Sequence, residues 1–122
     1  MITHPSATEL EEALAAFQAG SPDDPRANFL VRVADNARAT LEREAVLAPA
    51  AREAATNRLQ ALLDQDGDFE SLNAQLCAAL RAGRLDPLDH ALLAHLRASA
   101  LDQIAIDQPG YSGAAALIDA GA

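Results

Sequence analysis

Residues 25–47 read PRANFLVRVADNARATLEREAVL, and this stretch decides the fold class. Its apolar residues recur at spacings of three and four, which is the period of one face of an α-helix. They are Phe29, Leu30, Val33, Ala34, Ala37, Leu41, Ala45 and Val46. The opposite side carries Asp35, Arg38 and Glu42, spaced for weak ion pairs in solvent. The stretch therefore predicts an amphipathic helix with one buried face.

Signals for the start and end of helices flank this stretch on both sides. Ser6 and Glu9 form a capping box that opens a first helix, which we expect to end near Gly20. Asp24 and Pro25 then suit the start of the helix over residues 25–47. Further signals are Pro49 at the start of a third helix, the turn over 64–68 with Asp68 as the cap of a fourth, Asp86 and Pro87 before a fifth, and Pro109–Gly110 at its end.

Because the connections are short, neighbouring helices should run antiparallel. The sequence predicts an all-α protein, an up-and-down bundle of four to five helices with no sheet. Residues 1–111 should form a single helical domain. The small-residue tail over 112–122 is expected either to fray or to add a short helical turn through Leu117 and Ile118.

The composition argues against several classes of function. The 122 residues include thirty alanines, nine arginines and no lysine, and the net charge is −9. This charge argues against a nucleic-acid-binding protein, whose affinity comes from neutralising phosphates. The lack of lysine excludes a Schiff base and a P-loop lysine. We also expect a cytoplasmic protein, because neither a signal peptide nor a membrane-spanning stretch is evident.

Local motifs offer no catalytic residue, no metal site and no cofactor loop. The acidic turn over 64–68 lacks the glycine and glutamate positions of a calcium-binding EF-hand loop. His90 and His95 are five residues apart, which does not match the spacing of a zinc-binding helix. Cys77 lies in the middle of a helix and is interpreted as a structural thiol. His95 beside an apolar stripe suggests a packing or interface role rather than catalysis.

Polar residues inside the predicted helices are the candidates for function. They are Arg32, Asn36, Arg43, Glu44, Asn73, Arg81 and His95. Asn73, Cys77 and Arg81 share one side of the fourth predicted helix. Asparagine is a poor helix former, so Asn73 should make a specific contact. Two interpretations stay open, a hydrogen bond that fixes the register between helices and a partner-binding patch.

The chain resembles a small bacterial family defined only as a domain of unknown function, DUF6285. The resemblance extends from about Glu9 to Tyr111 and rests on the order and spacing of three blocks. The first is 29–37 with Leu41, Arg43 and Glu44; the second comprises 66–68, 72–73, 76–77 and 81–83; the third comprises 93–96, 106–107, Pro109 and Tyr111.

The resemblance implies a role in acyl-CoA metabolism. Members of that family are typically encoded beside an aminoglycoside-phosphotransferase-like kinase and an acyl-CoA dehydrogenase-like enzyme. The family is similar to the small accessory protein of a levulinate-type pathway, in which the kinase phosphorylates a 4-hydroxyacyl-CoA. This implies a non-catalytic subunit that supports the kinase. Two alternatives stay open, a stand-alone helical adaptor or homodimer, and a weak enzyme or acyl-CoA-binding module that uses His95.

Overall fold

Five helices and no strand make up the described part of the chain, which is residues 5–19 and 26–119 of this computed structural model. The helices are α1 (Ala7–Gln18), α2 (Ala27–Leu63), α3 (Phe69–Arg81), α4 (His90–Asp107) and α5 (Ala114–Asp119). The predicted all-α class is confirmed. The predicted signals at Gly20, Asp24 and Pro25 lie outside the described residues.

Side-chain caps fix the starts of three helices. Ser6 and Glu9 form the predicted capping box of α1, in which the Ser6 hydroxyl accepts from the Glu9 amide. Asp68 caps α3 by accepting from the amide of Ser71 at 2.9 Å. Asp89 caps α4 in the same way. The fifth predicted helix therefore begins at His90, two residues beyond its expected apolar start at Leu88.

The predicted helix boundary at Pro49 is wrong, because Pro49 lies inside α2, a single helix of 37 residues. Proline removes one backbone hydrogen bond and disfavours a helix interior by about 3 kcal/mol. The adjoining residues Ala48, Ala50 and Ala51 are the best helix formers and offset part of this cost. The second and third predicted helices are consequently one element. It ends at Leu63 and is followed by Asp64 in a left-handed conformation (φ 51°).

Helix α2 is the common packing partner of α1, α3 and α4, while α5 packs on α4. The main core lies in the carboxy-terminal half of α2. It is formed by four buried leucines, Leu59 from α2, Leu72 and Leu76 from α3, and Leu92 from α4. Helix α4 runs antiparallel to α2, since Ile106 lies near Arg43 and His95 lies near Arg58.

Candidate functional site

A polar network joins the carboxy-terminal half of α2 to α4. The guanidinium of Arg58 donates from Nε to Nδ1 of His95 at 3.5 Å. Its Nη2 lies 3.5 Å from both the Ser99 hydroxyl and the Asp102 carboxylate. His95, Ser99 and Asp102 follow at spacings of four and three, so they share the face of α4 that meets α2. This spacing is the signal that could have found Ser99 and Asp102 from the sequence, whereas Arg58 comes from a distant segment.

His95 is only 4% exposed and is the buried polar side chain of the described core. Burial, and then the nearby positive charge of Arg58, lowers the pKa of His95. The imidazole is therefore neutral at pH 7. Because Nδ1 accepts the bond from Arg58, the proton of the neutral ring belongs on Nε2. His95 thus serves as a hydrogen-bond acceptor between helices.

Arg43 joins α2 to the end of α4. Its Nε donates to the backbone carbonyl of Ile106 at 2.6 Å, and its Nη2 donates to the hydroxyl of Thr40 at 3.0 Å. The last four carbonyls of a helix have no partner within the helix. A guanidinium there satisfies one of them and interacts favourably with the negative end of the helix dipole. Of the predicted site residues, Arg43 and His95 therefore both hold α2 against α4.

The other predicted site residues are not brought together into one cluster. Arg32 and Asn36 are exposed on the amino-terminal half of α2, where the backbone carbonyl of Asn36 accepts from Thr40. Asn73 and Arg81 are exposed on α3. Glu44 is half-buried on α2. The exposed positions are accessible to a partner, and their role in binding one stays a prediction.

A second inter-helix contact involves residues that sequence reasoning did not single out. Arg52 of α2 is paired with the carboxylate of Glu70 on α3. Its guanidinium carbon also lies 5.1 Å from the centre of the Phe69 ring, within the range of a cation–π interaction. The hydrogen bond from Arg52 lowers the pKa of Glu70. The exposed Arg52 and Glu70, together with the partly buried Phe69, orient the start of α3 on α2. No local sequence pattern predicts this contact.

An apolar groove of about 240 Å³ lies between α1 and the amino-terminal half of α2. Every residue that lines it is apolar: Leu10, Ala13, Leu14 and Phe17 from α1, and Leu30, Val33, Ala34 and Ala37 from α2. Val33 is 50% exposed on this groove, and neighbouring Phe29 is 58% exposed. A groove with a wholly apolar lining is a candidate binding surface. We call it the α1–α2 groove.

The described residues contain no group of three or more His, Cys, Asp or Glu side chains that could hold a metal ion. Cys77 is half-buried in the middle of α3. None of the described helices has the length and hydropathy needed to cross a membrane.

Comparison with protein families identifies the family to which the chain belongs. Residues 22–111, about three quarters of the chain, match the family described as a domain of unknown function (DUF6285). The chain belongs to the DUF6285 family. The DUF6285 region contains α2, α3 and α4 with the Arg43 and Arg58 contacts, whereas α1 precedes it. Comparisons with curated proteins and with solved structures found no match.

Proposed function

We propose that this DUF6285 protein is a non-catalytic accessory subunit that binds an aminoglycoside-phosphotransferase-like kinase acting on 4-hydroxyacyl-CoA. The observation that carries a binding role is the α1–α2 groove, whose lining is wholly apolar and includes Val33, which is 50% exposed. Burying such surface against another protein is favourable by about 25 cal/mol per Å². The kinase as partner is proposed from the resemblance of the three sequence blocks.

In this proposal the chemistry belongs to the kinase. The kinase holds ATP, magnesium and the catalytic acid, and this chain stabilises it or orders its substrate site in the cytoplasm. The acyl-CoA dehydrogenase-like enzyme then acts on the product and is an indirect partner. The absence of lysine fits this division of labour, since lysine is a common phosphate ligand of phosphoryl-transfer enzymes.

The size of the groove favours a protein partner over a substrate. Pockets for drug-sized ligands occupy roughly 300–1,000 Å³ and combine apolar walls with a few polar groups. The α1–α2 groove is smaller, at about 240 Å³, and has no polar side chain in its lining. A CoA thioester is larger and carries several phosphate charges. Apolar side chains of another protein match the groove better.

Co-expression with an aminoglycoside-phosphotransferase-like kinase of the proposed kind tests the proposal. We expect the two proteins to co-purify, and we expect phosphorylation of a 4-hydroxyacyl-CoA to fall when this chain is left out. Arg81→Glu tests the α3 residues in the same assay: loss of association with unchanged helicity would assign α3 to the interface. If the two proteins never associate and the kinase activity is the same with and without this chain, the proposal is wrong.

A homodimer or a stand-alone adaptor is the second candidate. It is favoured by the outer side of α4, where Leu93 is 42% exposed and Leu96 is 47% exposed. Leu92 on the same helix is buried against α2 and α3, so α4 is apolar on both sides. Sedimentation of the purified chain at several concentrations tests the homodimer, because only a self-associating chain changes mass with concentration in the absence of a partner.

A further inference from the structure

The turn between α2 and α3 contains the one Asp–Gly bond of the sequence, which joins Asp66 to Gly67, and the sequence has no Asn–Gly bond. All residues of this turn, 64–68, are exposed. An aspartate that precedes glycine can react with the backbone, because glycine has no side chain to block the approach of its amide nitrogen to the aspartate carboxyl carbon. The reaction requires a free carboxyl group, a free amide and a backbone that can rotate.

Asp66 and Gly67 meet these requirements. Within the described residues, neither the Asp66 carboxylate nor the Gly67 amide takes part in a hydrogen bond. Both residues lie outside the helices, since α2 ends at Leu63 and α3 begins at Phe69. No helical hydrogen bond therefore opposes the rotation that brings the carboxyl carbon onto the amide nitrogen.

The two neighbouring aspartates of the turn do not meet the same requirements. The amide that would attack the Asp64 carboxyl group belongs to Gln65, and it donates to the backbone carbonyl of Gln60 at 3.2 Å. The Asp68 carboxylate caps α3 and accepts from the amide and the hydroxyl of Ser71 at 2.9 and 3.0 Å. In each case a hydrogen bond holds one of the two reacting groups. The structure thus favours reaction at the middle aspartate of the turn.

We propose that the Asp66–Gly67 bond is a site of isoaspartate formation. The Gly67 nitrogen forms a bond to Cγ of the protonated Asp66 carboxyl group, and the carboxyl hydroxyl leaves as water with the amide proton. Water then opens the resulting succinimide ring. Opening at the side-chain carbonyl restores aspartate, whereas opening at the backbone carbonyl leaves the chain running through Cβ and Cγ as isoaspartate. The reaction depends only on this chain and not on the proposed accessory role.

Isoaspartate should loosen the attachment of α3 to α2. The Gly67 carbonyl accepts from the Gln60 side chain at 3.3 Å, and a methyl group added to Gly67 would lie 3.2 Å from Cγ of Leu72. Gly67 therefore lies directly against a leucine of the core. The extra backbone methylene of isoaspartate displaces Gly67 from this position and changes the path of the chain into the Asp68 cap.

Peptide mapping of aged protein tests the site. The full-length chain is kept folded in buffer for several weeks and then cleaved with trypsin. This releases residues 59–81 as one peptide, because the chain has no lysine and has no arginine between Arg58 and Arg81. Electron-transfer fragmentation distinguishes aspartate from isoaspartate at each position. We expect isoaspartate to accumulate at Asp66 at least about tenfold faster than at Asp64 or Asp68. Similar accumulation at the three positions, or none at Asp66, would overturn the proposal.

Ageing in guanidinium chloride separates the effect of the fold from that of the Asp–Gly sequence. Unfolding frees the Gln65 amide and the Asp68 carboxylate, so isoaspartate should form faster at Asp64 and Asp68 than in the folded protein. The folded-state rate at Asp66 should stay within about tenfold of its unfolded rate, because the folded turn already leaves both groups free. A slower folded-state rate would show that the fold protects this bond, contrary to the proposal.

Asp66→Glu is the matched variant, because closure onto a glutamate side chain requires a larger ring that forms more slowly. The wild type and Asp66→Glu are aged together, and circular dichroism gives their melting temperatures before and after. The melting temperature of the wild type should fall as isoaspartate accumulates, whereas that of the variant should stay constant. Equal losses in the two proteins would refute the loosening of α3.

Discussion

Nε of Arg43 lies 2.6 Å from the backbone carbonyl oxygen of Ile106, so a side chain of α2 satisfies a carbonyl in the last turn of α4. Ile106 itself is fully buried. The contact bridges 63 positions of sequence and fixes where α4 ends along α2. It gives a predicted site residue a clear structural role.

Arg43→Met should therefore destabilise the fold. Methionine retains the apolar stem but removes the donors, which leaves the Ile106 carbonyl without its partner. A lost hydrogen bond to a charged group costs about 1–3 kcal/mol. Arg32→Met is the matched control, since Arg32 is exposed on the same helix. Urea unfolding measures both variants, and equal stabilities would contradict the assigned role of Arg43.

Stability should depend on pH through His95. The pKa of His95 is lowered in the folded state by burial and by Arg58, so at acidic pH the unfolded chain binds the proton more readily. The contribution of neutral His95 to the free energy of unfolding is complete above the ordinary histidine pKa of about 6.5. It is lost as the pH falls from there through the lowered pKa of the folded state. His95→Asn keeps an acceptor towards Arg58 but cannot become charged. The free energy of unfolding, measured between about pH 8 and about pH 5, should fall less steeply for His95→Asn than for the wild type. Parallel curves would show that His95 does not supply this dependence.

Replacing Pro49 should stabilise the protein. Pro49 lies inside the continuous α2, where it cannot donate to the carbonyl of Ala45. Pro49→Ala restores that hydrogen bond, and we expect the free energy of unfolding to rise by about 1–3 kcal/mol. Pro87→Ala is the control, because Pro87 lies in the turn before α4. Thermal denaturation followed by circular dichroism compares the two. A fall in stability for Pro49→Ala would mean that the local backbone is adapted to proline.

Leucine-to-alanine substitutions should destabilise the protein more where α3 and α4 pack on α2 than where α1 packs on it. Leu72 is fully buried among three helices, whereas Leu14 is half-buried in the α1–α2 groove. Leu72→Ala should cost about 2–5 kcal/mol, the usual range for a buried leucine. Leu14→Ala should cost less than half as much free energy of unfolding, because Leu14 buries less apolar surface than Leu72 in the folded protein. Denaturant titration of both variants tests this order, and the reverse order would refute the described packing.

The local elements of the fold were predictable because they depend on local chemistry. Ser6 with Glu9, and Asp68, cap helices by contacts that span three residues, and such contacts are visible in the sequence. The continuity of α2 was not predictable in this way. Helix α4 packs along α2 on both sides of Pro49, with Arg43 meeting Ile106 before it and Arg58 meeting His95 after it. That long-range support outweighs the local preference of proline.

The candidate site was also predictable only in part from the sequence. His95 and Arg43 were recognisable as polar residues inside helices, but their partners were not, because Arg58 and the Ile106 carbonyl come from distant segments. The groove residues were predicted as the buried faces of two helices, and the structure shows that one side of that contact stays open. Periodicity identifies an apolar face, whereas only the tertiary arrangement shows how many neighbours cover it.

The unbroken α2 also fixes a distance within the molecule. At 1.5 Å per residue, Val33 and Leu59 are separated by about 40 Å along one helix. The α1–α2 groove and the leucine core are thus held a set distance apart by one continuous helix.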